Sequence, residues 1–392
     1  MSFKIPFSGR AHAYTEEEVN AVVSAMKDAN PLTQGKYLSI FEETFCNYIG
    51  AAHSFAVSNA TAALELSAQF CQFKPGDEVI IPSHTFTSTA YPFAKKGAQI
   101  IWADIDLETR VVNAQTLADR ITPRTRAMVV PHLYGYGADM PEIMELASDY
   151  GLLVIEDAAQ ALGVEIEGKK AGTYGHFGVF SFHSHKNIST LGEGGMLVVK
   201  DENLANLVPQ LRHNGHCAFP FERVDYWVPA MGNLDFPSHN GESFWPNNYC
   251  LGEVECALGA KLLNRVDIVN LEKKKRALKF IDSLANFPEL KFHRVDSFRH
   301  NYHLLVGRLV GGNRNNFIRK MAEEKKVQCV VQYYPLNRYP LYQKAGFGEA
   351  RCPNADELFD NMVSFPFHHW LSEKSFDYML TSALEILESL RL

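Results

Sequence analysis

Lys186 stands five residues beyond Ser181 in the run FSFHSHKN, and Asp157 closes a separate apolar run, LLVIED. A lysine amine can form a Schiff base with a carbonyl compound. A carboxylate can keep a heterocyclic nitrogen protonated, so that the ring draws electrons. The segment SNATAAL (58–64) precedes a helical pattern. The free amides of a helix start and the Thr61 hydroxyl there suit a phosphate. Phe86, in SHTFTSTA, is a flat side chain able to cover a ring. Lysine, acid, phosphate cradle and flat cover are together what pyridoxal 5′-phosphate (PLP) requires. Singly, each has an ordinary reading: a solvated loop lysine, a helix-capping Asp, a capping Thr, a core Phe. His183 and His185 flank the lysine and read as structural neighbours. The ordered set carries the information.

The elements around these residues must bring them to one edge. Short apolar runs at 78–82, 99–103, 127–133, 152–157, 177–182 and 195–199 alternate with helical patterns. Strands apolar on both faces and separated by helices predict a mainly parallel sheet covered on both sides. Ligands of such sheets sit beyond the carboxyl ends of the strands. A helix is expected over 15–29, with Thr15 and Glu18 at capping-box spacing and Val19, Val22, Val23 and Met26 on one face. A second is expected between Asp139, as its cap, and Gly151. After a charged helical connector near 271–285, strand patterns at 289–295, 302–309 and 327–334 surround a helix at 314–325. This predicts a large domain over 1–262 with an N-terminal arm, and a small α+β domain over 263–392. The segment 213–247 is long and irregular, with Tyr226, Trp227, Phe236, Phe244 and Trp245. Loops of such length are more often functional than idle.

Composition narrows the function classes. The chain has 392 residues and a formal charge of −7, which favours neither nucleic acid nor an anionic membrane. No apolar run is long enough to span a bilayer, and the first residues lack a signal-peptide core. Seven cysteines are scattered without a CxxC pair, which argues for reduced thiols in the cytoplasm and against a metal or iron–sulfur site.

Nearly the whole chain resembles the DegT/DnrJ/EryC1/StrS sugar aminotransferases. The likeness runs from LTQGKYLSIFEETFCNYIGA (32–51) through SNATAAL, IIPSHTFTSTA, VIEDAAQALG, FSFHSHKNISTLGEGG and NNYCLGEVECALGAKLL to VQYYPLNRYPLYQKAGF and SFPFHHWLS. The resemblance implies an α/β fold of the fold-type I PLP class, with a seven-stranded-type sheet. It implies that Lys186 anchors PLP, Asp157 pairs with the pyridine nitrogen, Gln160 contacts the ring hydroxyl and Phe86 stacks on the ring. Ala60, Thr61 and Ser181 would hold the phosphate. Asn248 would reach it from the other chain of a homodimer with shared sites. Two departures stand out. Ala60 takes a position usually held by glycine, and the family's Asn-Tyr-Arg-Met becomes Asn248-Tyr249-Cys250-Leu251.

Superfamily dehydratases carry His where Lys186 stands, so transamination is expected. The resemblance implies glutamate as donor, with Arg212, His213 and Arg338 as candidates for its carboxylates. The acceptor it implies is the terminal aldehyde of a free octulosonate, giving 8-amino-3,8-dideoxy-manno-octulosonate for lipopolysaccharide. Arg212 and Arg223 are candidates for the carboxylate of that sugar. Two alternatives stay open: a nucleotide-linked 3- or 4-keto sugar as acceptor, and a PLP-binding regulator without turnover.

Overall fold

The computed structural model describes residues 2–10, 12–216, 243–348 and 350–391. Its main sheet contains β1 (Ser54–Val57), β2 (Glu78–Pro82), β3 (Gln99–Ala103), β4 (Thr125–Pro131), β5 (Leu153–Asp157), β8 (Phe177–Ser181) and β9 (Gly195–Val199). A small ribbon, β6 (Glu165–Ile166) with β7 (Lys169–Lys170), interrupts the chain between them. The spatial order is β1-β9-β8-β5-β4-β2-β3. Only β9 runs against the rest of this sheet, antiparallel to both β1 and β8. Every residue of β2, β8 and β9 is buried, as strands covered on both faces must be. β5 and β8 are parallel neighbours with Asp157 opposite Val179, so Asp157 and Ser181 emerge at the same carboxyl edge.

The sequence pattern locates six of these strands within two residues at each end. β1 escapes it, because SFAV is four residues long and earns its place by pairing with the reversed β9. The first helix runs over Glu16–Asp28 with the reciprocal Thr15–Glu18 capping box. Its apolar stripe is not turned into the core. Val19, Val23 and Met26 are exposed, while Ala25 is buried and Glu18 is buried against Arg265. Asp139 precedes the helix Met140–Tyr150 without capping it; its carboxylate lies 3.4 Å from Arg299 instead.

Beyond the helix Glu253–Leu263, the long helix Val266–Ser283 leads to a three-stranded antiparallel sheet, β10 (Leu290–Phe292), β11 (Leu305–Leu309) and β12 (Met362–Phe365). Phe280, Phe317, Phe365 and Phe376 form a second core there with helices Arg314–Glu323 and Glu373–Arg391, and Ile5 joins it from the start of the chain. The strand expected at 327–334 is replaced by irregular chain with two isolated bridges, Val327 to Ile5 and Val330 to Ser364, and β12 supplies the third strand. Among the described residues no helix is long and apolar enough to cross a membrane, and no cluster of three metal-ligating side chains occurs.

Candidate active site

The edge formed by β5 and β8 opens into a cavity of about 670 Å³. Lys186 sits in the loop after β8 and lines it. Its backbone is pinned on both sides: the N–H donates to His183 O at 2.8 Å, and the carbonyl accepts from His12 Nε2 at 2.9 Å. Desolvation pushes the Lys186 ammonium down to about 8, against the attraction of Asp157. The amine is therefore far easier to deprotonate than an exposed lysine. Asp157 is buried at the end of β5. Its Oδ2 accepts from Thr89 Oγ1 at 2.7 Å and its Oδ1 from the Ala159 amide at 3.2 Å.

The opposite end of the cavity is a helix start. Asn59 caps Ala60–Phe70 by accepting from the Ala62 amide at 2.9 Å. The amides of Ala60 and Thr61 belong to the first turn, where no intrahelical acceptor exists. Ala60 opens the helix without a positive φ, so the backbone there does not require the glycine that the resemblance implies. Thr61 Oγ1 donates to Ser88 Oγ at 3.0 Å, and both hydroxyls face the cavity with Ser181. Gly195 explains the GEGG run. A Cβ on it would lie 2.6 Å from the Ala60 nitrogen, so only glycine lets β9 pass beneath this helix start.

Phe86 is half exposed and meets Tyr333 edge-on, ring centres 5.6 Å apart. Gln160 also lines the cavity, with both ends engaged. Its Oε1 accepts from the Tyr134 amide at 2.7 Å and its Nε2 donates to Tyr333 Oη at 3.0 Å. The structure thus brings Lys186, Asp157, Gln160, Phe86, Ala60, Thr61 and Ser181 to one cavity. Asn248 is exposed and does not line it; it bridges to His213. His213 stacks on His216 at 4.5 Å, also away from the cavity.

Two of the arginines expected to meet substrate, Arg212 and Arg338, do not line this cavity. Arg212 is buried, ion-paired with Glu42 and donating to Ala56 O at 2.7 Å, so its charge is already spent. Arg338 pairs with Asp356 at 2.5 Å. Arg223 lies outside the described residues, as do Tyr226, Trp227 and Phe236.

Residues 13–383 match the model of the DegT/DnrJ/EryC1/StrS aminotransferase family. The chain belongs to this family. It is 32% identical over 359 residues to GDP-perosamine synthase of Caulobacter vibrioides, covering 90% of this chain and 91% of that protein. It is 30% identical over 394 residues to the spore coat polysaccharide biosynthesis protein SpsC of Bacillus subtilis, covering 99% and 97%. An aminotransferase from Psychrobacter cryohalolentis superposes with a TM-score of 0.87 at 25% identity, over 99% and 100% of the two chains.

Aminotransferases of this family depend on PLP, and the donor set fits it. An amine of lowered basicity faces a buried carboxylate, and hydroxyls and first-turn amides gather where a phosphate would lie. Sequence reasoning missed several residues of this aminotransferase site. Thr89 lies three residues past Phe86 in the same polar run, which was a usable signal. Tyr333, His12 and Lys273 gave none, because each arrives from a distant stretch of chain.

Proposed function

We propose that the protein transfers the amino group of glutamate to the terminal aldehyde of an unlinked octulosonate, forming 8-amino-3,8-dideoxy-manno-octulosonate for lipopolysaccharide in the cytoplasm. PLP, when bound, supplies a reactive carbonyl carbon and an electron-accepting ring. With PLP bound, Lys186 Nζ would hold that carbonyl carbon until the donor arrived, and would then serve as the general base for the proton on the donor Cα and, as its conjugate acid, as the donor of that proton to the cofactor carbon. Asp157, oriented by Thr89, would keep a proton on the pyridine nitrogen. Thr61, Ser88, Ser181 and the amides of Ala60 and Thr61 would hold the phosphate, and Phe86 would cover the ring. Gln160, gripped by Tyr134 and Tyr333, would contact the ring hydroxyl.

One observation carries the choice of an acid sugar. The basic side chains Arg10 and Lys273 line the cavity without a carboxylate partner among the described residues, and burial pushes the Lys273 ammonium down to about 7, where a bound anion would restore its charge. The other lining lysine away from Lys186, Lys95, is paired with Glu65. A surplus of positive charge suits a substrate that brings its own anion. GDP-perosamine synthase, at 32% identity, favours a second reading, a nucleotide-linked keto sugar. An amination assay of the amino-loaded enzyme decides between them. Turnover of 8-oxo-octulosonate with neglect of nucleotide-linked keto sugars supports the first reading, and the reverse pattern overturns it.

The working unit is proposed to be a homodimer with shared sites. Asn248 is exposed outside its own chain's cavity, and Val19, Val23, Met26, Leu32 and Ile40 leave apolar surface uncovered on the described chain. A second copy would bury such a surface by an isologous contact.

A further inference from the structure

We propose that Lys273, flanked by His12 and His368, forms the subsite that receives the carboxylate of the acceptor sugar. This deepens the acid-sugar reading above and rests on it. Lys273 lies on the helix Val266–Ser283, is only 6% exposed and lines the catalytic cavity. Among the described residues its ammonium has one hydrogen bond, to His303 O at 3.1 Å, and the ring of Phe367 at 5.7 Å. No carboxylate pairs with it. The acidic groups of the cavity are engaged elsewhere: Asp157 with Thr89 and Ala159, Glu65 with Lys95, and Glu193 beside His183 at 3.7 Å. Glu272, one residue before Lys273, is taken by His369. Burial without an anion pushes the Lys273 ammonium down to about 7, and a carboxylate bound beside it would hold the charged form.

The two histidines add directional groups. His12 is 2% exposed and comes from the N-terminal segment. Its Nε2–H donates to the Lys186 carbonyl, so the neutral ring leaves Nδ1 as an acceptor, and Nδ1 is buried with no partner. His368, between β12 and the last helix, also has an unpartnered buried Nδ1. Burial pushes both rings down to about 4, with Lys273 adding repulsion, so both are neutral at pH 7. One cation for one carboxylate, beside neutral imidazoles for hydroxyls, is the pattern that recognises a polyhydroxylated monoacid. His303 ties the subsite to the chemistry. Its Nδ1 meets Asn187 Oδ1 at 3.0 Å, next to Lys186, while its carbonyl holds Lys273.

Glutamate carries the same chemical group, so the test separates the two half-reactions. The PLP-loaded full chain is compared with Lys273→Met and with Lys274→Met. Lys274 bonds Ser297 O at 3.2 Å on the same helix but does not line the cavity. The probe is 3-deoxy-octulosonate, which has a hydroxyl in place of the aldehyde, titrated calorimetrically into the amino-loaded form. Lys273→Met is expected to weaken its binding about thirtyfold and to raise acceptor KM alike, with acceptor kcat and the glutamate half-reaction within about threefold. Lys274→Met should bind the probe like wild type. Unchanged affinity in Lys273→Met overturns the subsite and leaves the acid-sugar reading standing. A raised glutamate KM with unchanged acceptor KM assigns the cation to the donor and overturns it too. A wild-type enzyme that takes only nucleotide-linked keto sugars removes the reading first and the subsite with it. A ligand-side deletion needs no variant: the C1 amide of the same sugar should bind wild type at least about tenfold more weakly, and equal binding overturns the subsite.

Discussion

The Thr89 hydroxyl donates to Asp157 Oδ2 at 2.7 Å and, with the Ala159 amide, fixes the carboxylate at the end of β5. Hydrogen bonds to charged groups contribute about 1.5–3 kcal/mol, so Thr89→Val should lower kcat at least about tenfold. PLP should remain bound, as read from its visible absorbance. Asp157→Asn should cost more, because a neutral amide cannot stabilise a protonated ring nitrogen. Wild-type single-turnover rates in Asp157→Asn would remove that residue from the mechanism.

Lys186 should be the sole covalent anchor. Borohydride reduction followed by peptide mapping should find the cofactor on this lysine, and a label elsewhere would sink the assignment. Burial, opposed by Asp157, brings its pKa down to about 8. The neutral amine is the reactive form and accumulates as pH rises through that value. Capture of PLP by the cofactor-free protein should therefore accelerate up to about pH 8 and level off above it. His185 and His303 face the same loop, but burial keeps both below their usual range, so neither gains charge in this window. A capture rate still climbing at pH 10 would contradict the lowered basicity.

Gly195→Ala places a methyl against backbone atoms of Asn59 and Ala60, which cannot swing aside as a flexible side chain would. The helix start must move, at a cost of about 1–3 kcal/mol. The expected result is PLP affinity reduced about tenfold or more, with the far-ultraviolet dichroism unchanged. Undiminished affinity by cofactor titration would show that the phosphate is held elsewhere.

Mixing Lys186→Ala chains with Asn248→Ala chains tests the shared site. Each variant alone should be impaired, and heterodimers should regain part of the activity, because one of their two sites then has both residues. Verified heterodimers without recovery would place Asn248 outside the partner's site.

The sheet and its chemical edge were legible because β2, β5 and β8 are continuous apolar runs whose polar residues fall at their ends. The segment 327–334 misled for the same reason. Val327 and Cys329 are buried like strand residues, but the chain then turns to deliver Tyr333 to Gln160 and Phe86. The stripe Val19–Val23–Met26 lies on the expected helix and on one face of it, but that face is exposed on the described chain. Periodicity reports that one face is apolar, not what covers it. Arg212 looked like a substrate ligand because its type and place suited one, whereas its partner Glu42 is 170 residues away in the chain. Long-range pairing of this kind has no local signature.

Part of the cavity wall is drawn from the two ends of the chain. Phe7, Ser8, Arg10 and His12 come from one end and Phe367, His368 and His369 from the other. The indole of Trp370 donates to the Arg10 carbonyl at 3.1 Å and joins them. The residues that perform the reaction lie in the middle of the sequence, while much of the wall lies at its margins. Because Trp370 joins the two margins, a change in one alters the part of the wall that the other completes. An exchange of one margin alone would leave mismatched halves.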